Sequence, residues 1–415
     1  VASAAGAGIV FQIPSSNGSN GQFLQTNGSG VTSWQAAAGV APSVDNYRLS
    51  LATGVPVTTT DQSAKSTIYL TPYIGEHISL LSTDGATWLD DTPGEISATI
   101  TNIAFGIIDV FAVDTAGNGT VTLAFNDWTN GSQTTGTITG ATAANPCVVT
   151  ATNTLSNGQL VGISGVVGTM GTDANKGLNG KVFPVSSVSG SAFTLAGIDT
   201  TGLTYTSGGT FTVVPTARGT ALGKVNNILV QDTGSTAHKQ NRYVGTVVTG
   251  TGANTSGQTS DSAAQRLMVN YYNRKNANLK AQETAASWAY AAAAIRPSNA
   301  GTTVGVSKVE CLAGLVEDTV TARHYVVVNN ATAGNNSFLT GIGLNSYNTD
   351  SSMTGGTVIS NLTVDITGVG TYEGYLNLGY NFLQRLEKNS SATTLTYEGT
   401  NSNTIQTGLV GTTQH

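Results

Sequence analysis

From Tyr47 to Tyr397 the chain repeats one theme: a short stretch of alternating apolar and polar residues, then a stop made of Gly, Asn, Asp or Pro. Alternation with a period of two lines the two faces of an extended strand, whereas an amphipathic helix needs a period near ~3.6. Residues 47–51, 66–70, 77–81, 96–100, 107–113 and 121–125 all read as strands in this way. Strands this short, separated by turn signals, point to a sandwich or barrel. The expected class is all-β.

Composition supports the pattern and narrows the function. Gly contributes 51 residues, and charged residues only 10% of the chain, against about a quarter in ordinary globular proteins. Thr and Val suit a pleated surface, and Gly and Asn supply tight turns. So little charge gives a lone subunit weak protection by repulsion, which favours a chain whose surface is partly covered in an assembly. The net charge of −6 and the dispersed set of 17 Lys and Arg argue against nucleic acid as a partner. No apolar run approaches the ~18 residues of a membrane span. Cys147 and Cys311 are expected to be free and buried. His77, His238, His324 and His415 lie at no metal-ligand spacing, and no cofactor is implied.

The first forty residues differ from the rest. Residues 15–21 (SSNGSNG) are rich in turn formers, and residues 21–35 (GQFLQTNGSGVTSWQ) read as a hairpin around Asn27-Gly28. One hairpin cannot bury Phe23, Leu24 and Trp34 alone, and Ile9 and Val10 add to the apolar load. Phe23, Leu24 and Trp34 are therefore the candidate oligomer interface. The 21–35 phrase resembles the units found in shafts and connectors of phage tail fibres, which implies a homotrimer wound about its axis.

Further phrases resemble a domain that recurs in virion proteins of tailed bacteriophages: RLSLATGVPVTTTD at 48–61, TIYLTPYIG at 67–75, IDVFAV at 108–113, NRYVGTV at 241–247, QTSDSAAQR at 258–266 and NYYNR at 270–274. Between them lies a passage with its own strand series, at 137–142, 147–150, 159–164, 182–185, 193–195 and 210–213. Its phrases ITGATAANP, LNGKVFPV and YTSGGTF are similar to small β-barrel modules inserted in phage structural proteins, related in fold to a half-domain of ubiquitin-activating enzymes. No ubiquitin chemistry comes with that likeness. The implied organisation is a shaft-like attachment segment at 1–42, a discontinuous β domain at 43–131 and 215–258, an inserted barrel at 132–214, and a C-terminal β-sandwich-like unit at 259–415. The insert is expected to be independent and removable. One helix is expected, because Ser262 to Gln265 fits a capping box and Ala264, Leu267, Met268, Tyr271 and Tyr272 mark an apolar stripe.

Catalytic chemistry is hard to assemble from these residues. Glycan cleavage needs two carboxylates about 5–9.5 Å apart across a sugar. Asp90-Asp91 is expected in a solvated turn over 88–94, and Glu317-Asp318 in another. His324 reads as a structural strand residue, and Gly250 and Gly252 as turn positions without phosphate-loop context. Trp88, Tyr271, Tyr272, Trp288, Tyr375 and Tyr380 are the aromatic residues a sugar would stack on, with core or interface packing the commoner fate. The expected function is a non-enzymatic virion subunit, a tail fibre or fibre-like connector in host attachment or appendage assembly. A capsid decoration or head-fibre protein is the alternative, and a glycan-degrading tailspike the third reading. Its partners would be copies of itself, other phage tail or capsid proteins, and a host surface glycan or receptor.

Overall fold

The computed structural model describes residues 12–18, 22–36, 44–83, 85, 87–114, 116–232, 240–330, 336–351, 353–354, 357–359, 365–390, 394–400 and 405–415. Ile9, Val10 and His238 lie outside them. The described chain is nearly all β.

Strand Gln22–Thr26 pairs antiparallel with Thr32–Ala36, Leu24 opposite Trp34 and Phe23 opposite Gln35. The connecting loop closes with the Asn27 amide donating to the Val31 carbonyl at 3.0 Å, and Gly28 and Gly30 adopt φ of 82° and 87°. Those left-handed positions are where glycine is needed.

Downstream, strands Tyr47–Ser50, Thr67–Pro72 and Ile96–Thr99 form a three-stranded sheet. It packs on a six-stranded sheet built from Thr122–Asp127, Ile107–Val113, Arg242–Val248, Ile228–Gln231 and Leu222–Val225, with Met268–Asn270 beside Arg242–Val248. Tyr47, Leu49, Ile68 and Leu70 meet Ile108, Val110, Val244 and Val247 in one core. The C-terminal part is a sandwich. Leu279, Val320, Ala322 and Leu409 from its seven-stranded sheet face Val309, Ile342 and Leu383 from its eight-stranded sheet, with Cys311 free among them.

Strands cross the 258/259 boundary. Gln62–Lys65 pairs with Thr259–Asp261 in the eight-stranded sheet, while Met268–Asn270 pairs into the six-stranded one. The covering helix is absent. Residues 259–270 run as Thr259–Asp261, a tight turn, Gln265–Arg266 and Met268–Asn270. Ser262 still accepts the Gln265 amide on its Oγ at 3.1 Å, as in a capping box, but the Gln265 amide also reaches the Ser262 carbonyl and the Ser262 amide the Gln265 carbonyl. One local hydrogen bond serves both a helix start and a hairpin turn. Strand pairing on both sides decides for the turn.

Within 132–214 a closed barrel forms in the order Thr135–Ala141, Val148–Ala151, Ala192–Leu195, Lys181–Ser189, Leu160–Ser164, Thr210–Val213. Every strand read from the sequence of this passage is present. Its core, with Cys147, Phe193 and Phe211, does not stop at the barrel wall. It runs on through Phe105, Trp128, Tyr347 and Phe382 of the body. Gly162 has no room for a side chain, since a Cβ there would lie 2.2 Å from the Phe105 ring. Tyr347 stacks on Phe382 with centroids 4.7 Å apart and donates its hydroxyl to the Val182 carbonyl at 2.9 Å. Lys181 Nζ crosses the same seam to Thr302 Oγ1 at 2.9 Å, and burial first, then Lys308, lowers its pKa to about 7. The insert is continuous with its host.

Candidate functional site

The hairpin carries the proposed interface. Phe23 is 45% exposed and Leu24 40%, and Val31 beside the turn is 45% exposed. Neighbours on a strand point to opposite faces, so Phe23 and Leu24 leave both sides of the ribbon apolar. Trp34 differs from them. It is half-buried by its own chain: Nε1 donates to the Ser16 carbonyl at 2.7 Å, and a Cβ at Gly18 would sit 2.6 Å from the indole. Gln12 bridges to Val31, its amide donating to the Gly30 carbonyl at 2.8 Å. The upstream segment thus covers Trp34 and leaves Phe23, Leu24 and Val31 for another surface.

The acidic candidates separate. Asp90 and Asp91 lie on strand Trp88–Asp91 rather than in a turn, because Ser79 and Ile78 of the facing strand pair with them. Asp90 points outward to His77 Nδ1 at 3.0 Å. Asp91 is buried, and burial, then Asp114 and Asp90, raise its pKa to about 6. Carboxylates on opposite faces cannot flank one sugar. Asp318 is likewise no solvated turn residue: it is buried, bound by Arg274 Nη1 at 2.5 Å and by the Leu315 amide, while Glu317 beside it is exposed. Cys147 and Cys311 are buried, and burial, then Glu310 and Asp318, push the Cys311 thiol to about 12. Neither thiol is poised as a nucleophile.

His324 sits mid-strand and fully buried, its Nδ1 3.1 Å from the Gly341 carbonyl. Burial, then Arg385, lowers its pKa from 6.5 to about 3. The unfolded chain therefore takes up this proton first as pH falls, so stability is intact above ~6.5 and declines from there toward ~3. His324→Leu is expected to lose less stability than the parent on acidification across that window. Parallel slopes in thermal melts from pH 7 to 3 would refute it.

Among the aromatic candidates, Trp88 and Tyr380 are core residues. Trp288 stacks on Tyr397 at 5.6 Å and donates to Glu387 Oε2. Tyr271 and Tyr272 pack edge-to-face at 4.6 Å beneath Arg274 and Arg242. Tyr375 is 67% exposed. Sequence reasoning passed over Tyr290, which lies beside a cleft against Arg296, whose guanidinium carbon is 3.6 Å from the ring centroid.

Many of the chain's scarce charges are interior. Arg385 Nη2 meets Glu283 Oε2 at 2.6 Å, Arg218 Nε meets Asp109 Oδ2 at 2.6 Å, and Lys308 Nζ meets Glu310 Oε1 at 3.1 Å. Glu310 also accepts from Tyr380 and from Gln265. A buried charge is tolerable only with such partners. Among the described residues no three His, Cys, Asp or Glu side chains gather as a metal site requires, and no helix is long and apolar enough to cross a membrane.

No protein-family profile matches the chain, and no curated protein matches its sequence. Solved structures show faint likeness. Dimeric latent PorU from Porphyromonas gingivalis is 10% identical over 76% of this chain, with a TM-score of 0.22, and this chain spans 25% of that one. The infectious bursal disease virus Gx strain structure is 10% identical over 91% of this chain and 74% of its own, with a TM-score of 0.21. The VP2 subviral particle of that virus covers 91% and 75%, also with a TM-score of 0.21. Likeness at this level carries no functional argument.

Proposed function

We propose that the chain is a structural subunit of a tailed-phage particle, a tail fibre or fibre-like connector that acts as a homotrimer. The observation that carries this reading is the hairpin: a two-stranded ribbon whose Phe23, Leu24 and Val31 are left exposed. An isolated ribbon of this kind is marginal in water, and copies about an axis supply the missing cover. The phage-like phrases from residue 48 to residue 274 and the barrel at 132–214 supply the virion context. Gold-labelled antibody against this subunit should decorate the tail or a tail appendage of intact particles. Label on the head alone would make it a capsid decoration protein, and no label on the particle would end the virion reading.

The same reading predicts no glycan cleavage. Capsule or lipopolysaccharide of the host, incubated with the purified chain, should release no oligosaccharide. Release that disappears in Asp90→Asn or Asp91→Asn would move the chain among the glycan-degrading spikes.

A further inference from the structure

Asn is followed by Gly at positions 17, 20, 27, 118, 130, 157 and 179. That pair is chemically labile, because a glycine without a side chain lets its own amide nitrogen reach the Asn side chain before it. The nucleophile is the amide after it has lost its proton. A hydrogen bond from that amide to an acceptor stabilises the protonated form and withholds the nucleophile. What each glycine amide is bonded to therefore decides which pair reacts.

Four of the pairs are held. The Gly119 amide donates to Asp114 Oδ2 at 2.8 Å and the Gly131 amide to Asp127 Oδ2 at 3.0 Å. The amides of Gly158 and Gly180 donate to the carbonyls of Val185 at 2.7 Å and Ile163 at 2.8 Å. Asn27-Gly28 differs. Among the described residues the Gly28 amide meets only the Thr26 hydroxyl, at 3.2 Å and exposed to water. Exposure does not make the distinction, since Asn118, Asn130 and Asn157 are exposed as Asn27 is. Nor does backbone shape, for the five glycines share φ between 75° and 88°. Of the remaining pairs, Gly18 lies against the Trp34 indole and Gly21 is outside the described residues.

Two further features favour reaction at Asn27. Its Oδ1 accepts the Ser29 amide at 2.9 Å, a donor aimed at the oxygen on which charge gathers when the side-chain carbonyl is attacked. Open space surrounds Gly28, with no atom within 4 Å of where a Cβ would lie. The ribbon that carries it has two strands and no core, so the rotation needed for ring closure meets little resistance.

We propose that Asn27 is a site of spontaneous backbone modification, which converts the hairpin turn to isoaspartate as the protein ages. The Gly28 nitrogen, its proton lost to hydroxide, bonds to Asn27 Cγ. Nδ2 takes a proton from water and leaves as ammonia, giving a cyclic imide. Water then opens the imide. Opening at Cγ leaves Asp; opening at the main-chain carbonyl leaves isoaspartate, with one extra methylene in the backbone and a new negative charge. The Asn27 amide, which closes the turn onto the Val31 carbonyl, is then out of register. A loosened assembly is the consequence, and that consequence rests on the trimer reading, whereas the chemistry does not.

Peptide mapping by mass spectrometry of the full chain, aged in mildly alkaline buffer, tests the site. Asn27 should convert about tenfold or more faster than Asn118, Asn130, Asn157 and Asn179, the factor that one hydrogen bond of ~1.4 kcal/mol confers. In urea strong enough to unfold the chain, those five sites should converge on similar rates. Equal rates in the folded chain, a faster rate at any of the four held sites, or the same ranking in urea would overturn the proposal. Light scattering on the aged samples reads the consequence separately. Trimer lost in step with Asn27 conversion supports it, and a trimer that persists on converted chains overturns the link to assembly. A fresh chain that is already monomeric defeats the trimer reading and leaves the modification standing.

Discussion

Removing residues 1–40 is expected to turn a trimer into a monomer that melts at nearly the parent temperature. The hairpin's apolar residues are exposed within a single chain, whereas the downstream cores are built from later residues. Covering a half-exposed Phe, Leu or Val contributes about 1 kcal/mol or more from the area removed from water. Phe23, Leu24 and Val31 from three chains together reach the ~4–15 kcal/mol that association itself costs. Trp34 contributes less to the assembly because Ser16 and Gly18 already cover it. Replacing Phe23 and Leu24 together by Ser should therefore dissociate the trimer more than Trp34→Ser, which should instead loosen residues 12–18. Light scattering at micromolar concentration reads both. A monomeric intact chain would defeat the trimer, and an unchanged trimer after truncation would move the interface into the later sheets.

Excising residues 134–214 and joining Asn130 to Arg218 through a short Gly/Ser linker should abolish cooperative melting of the whole chain. A self-contained strand series suggests the opposite, and only the packing decides. Excision would bare the sides of Phe105 and Tyr347 that now face Gly162 and Phe183 of the barrel, and would open the core these two share with Trp128 and Phe382. Fully exposing a large apolar side chain costs about 1.5–3 kcal/mol, so even partial exposure of this group is a sizeable share of the ~5–15 kcal/mol that holds a domain folded. The Tyr347 hydroxyl and Thr302 would also lose the partners they meet across the seam. A single sharp transition in the excised chain, close to the parent temperature, would show that the body tolerates the loss.

The barrel strands could be read from sequence because alternation and turn residues are local signals. In the barrel each strand has Gly, Asn or Asp close to its ends, and pairing there follows the order of the chain closely enough for the local code to suffice. Residues 259–272 defeated the same reasoning. Ser262 and Gln265 make a bond common to two structures, and a run of Ala, Leu and Met is compatible with either. The interior ion pairs leave no local trace, since Glu283 and Arg385 stand 102 positions apart. The cleft beside Tyr290 is hidden for the same reason: Asp199 and Tyr290 line it together only because the barrel docks beside the loop at 290–297. The exposure of Phe23 and Leu24 is legible because an apolar residue in a segment with no core of its own declares itself. The cover that residues 12–18 give to Trp34 was not, for it depends on a glycine that reads as mere flexibility.

The buried charge pairs have one more consequence, which concerns errors in folding. Strands made of Thr, Val, Ala and Gly resemble one another so closely that a strand sliding along its neighbour would find nearly equivalent side chains to pack. A slip of one residue turns every side chain to the other face. In strand Gly379–Asn389 that slip would pull Arg385 away from Glu283 and Glu387 away from Arg296, while Lys308–Ala313 alongside would take Glu310 out of reach of Tyr380. Each displaced ion would be left in the interior without a counter-charge, at a penalty of several kcal/mol. The charges would act as a checksum: a wrong alignment of an otherwise monotonous sheet is penalised, and because Arg385–Glu283 and Lys308–Glu310 are shielded from solvent that penalty should change little between fresh water and brine.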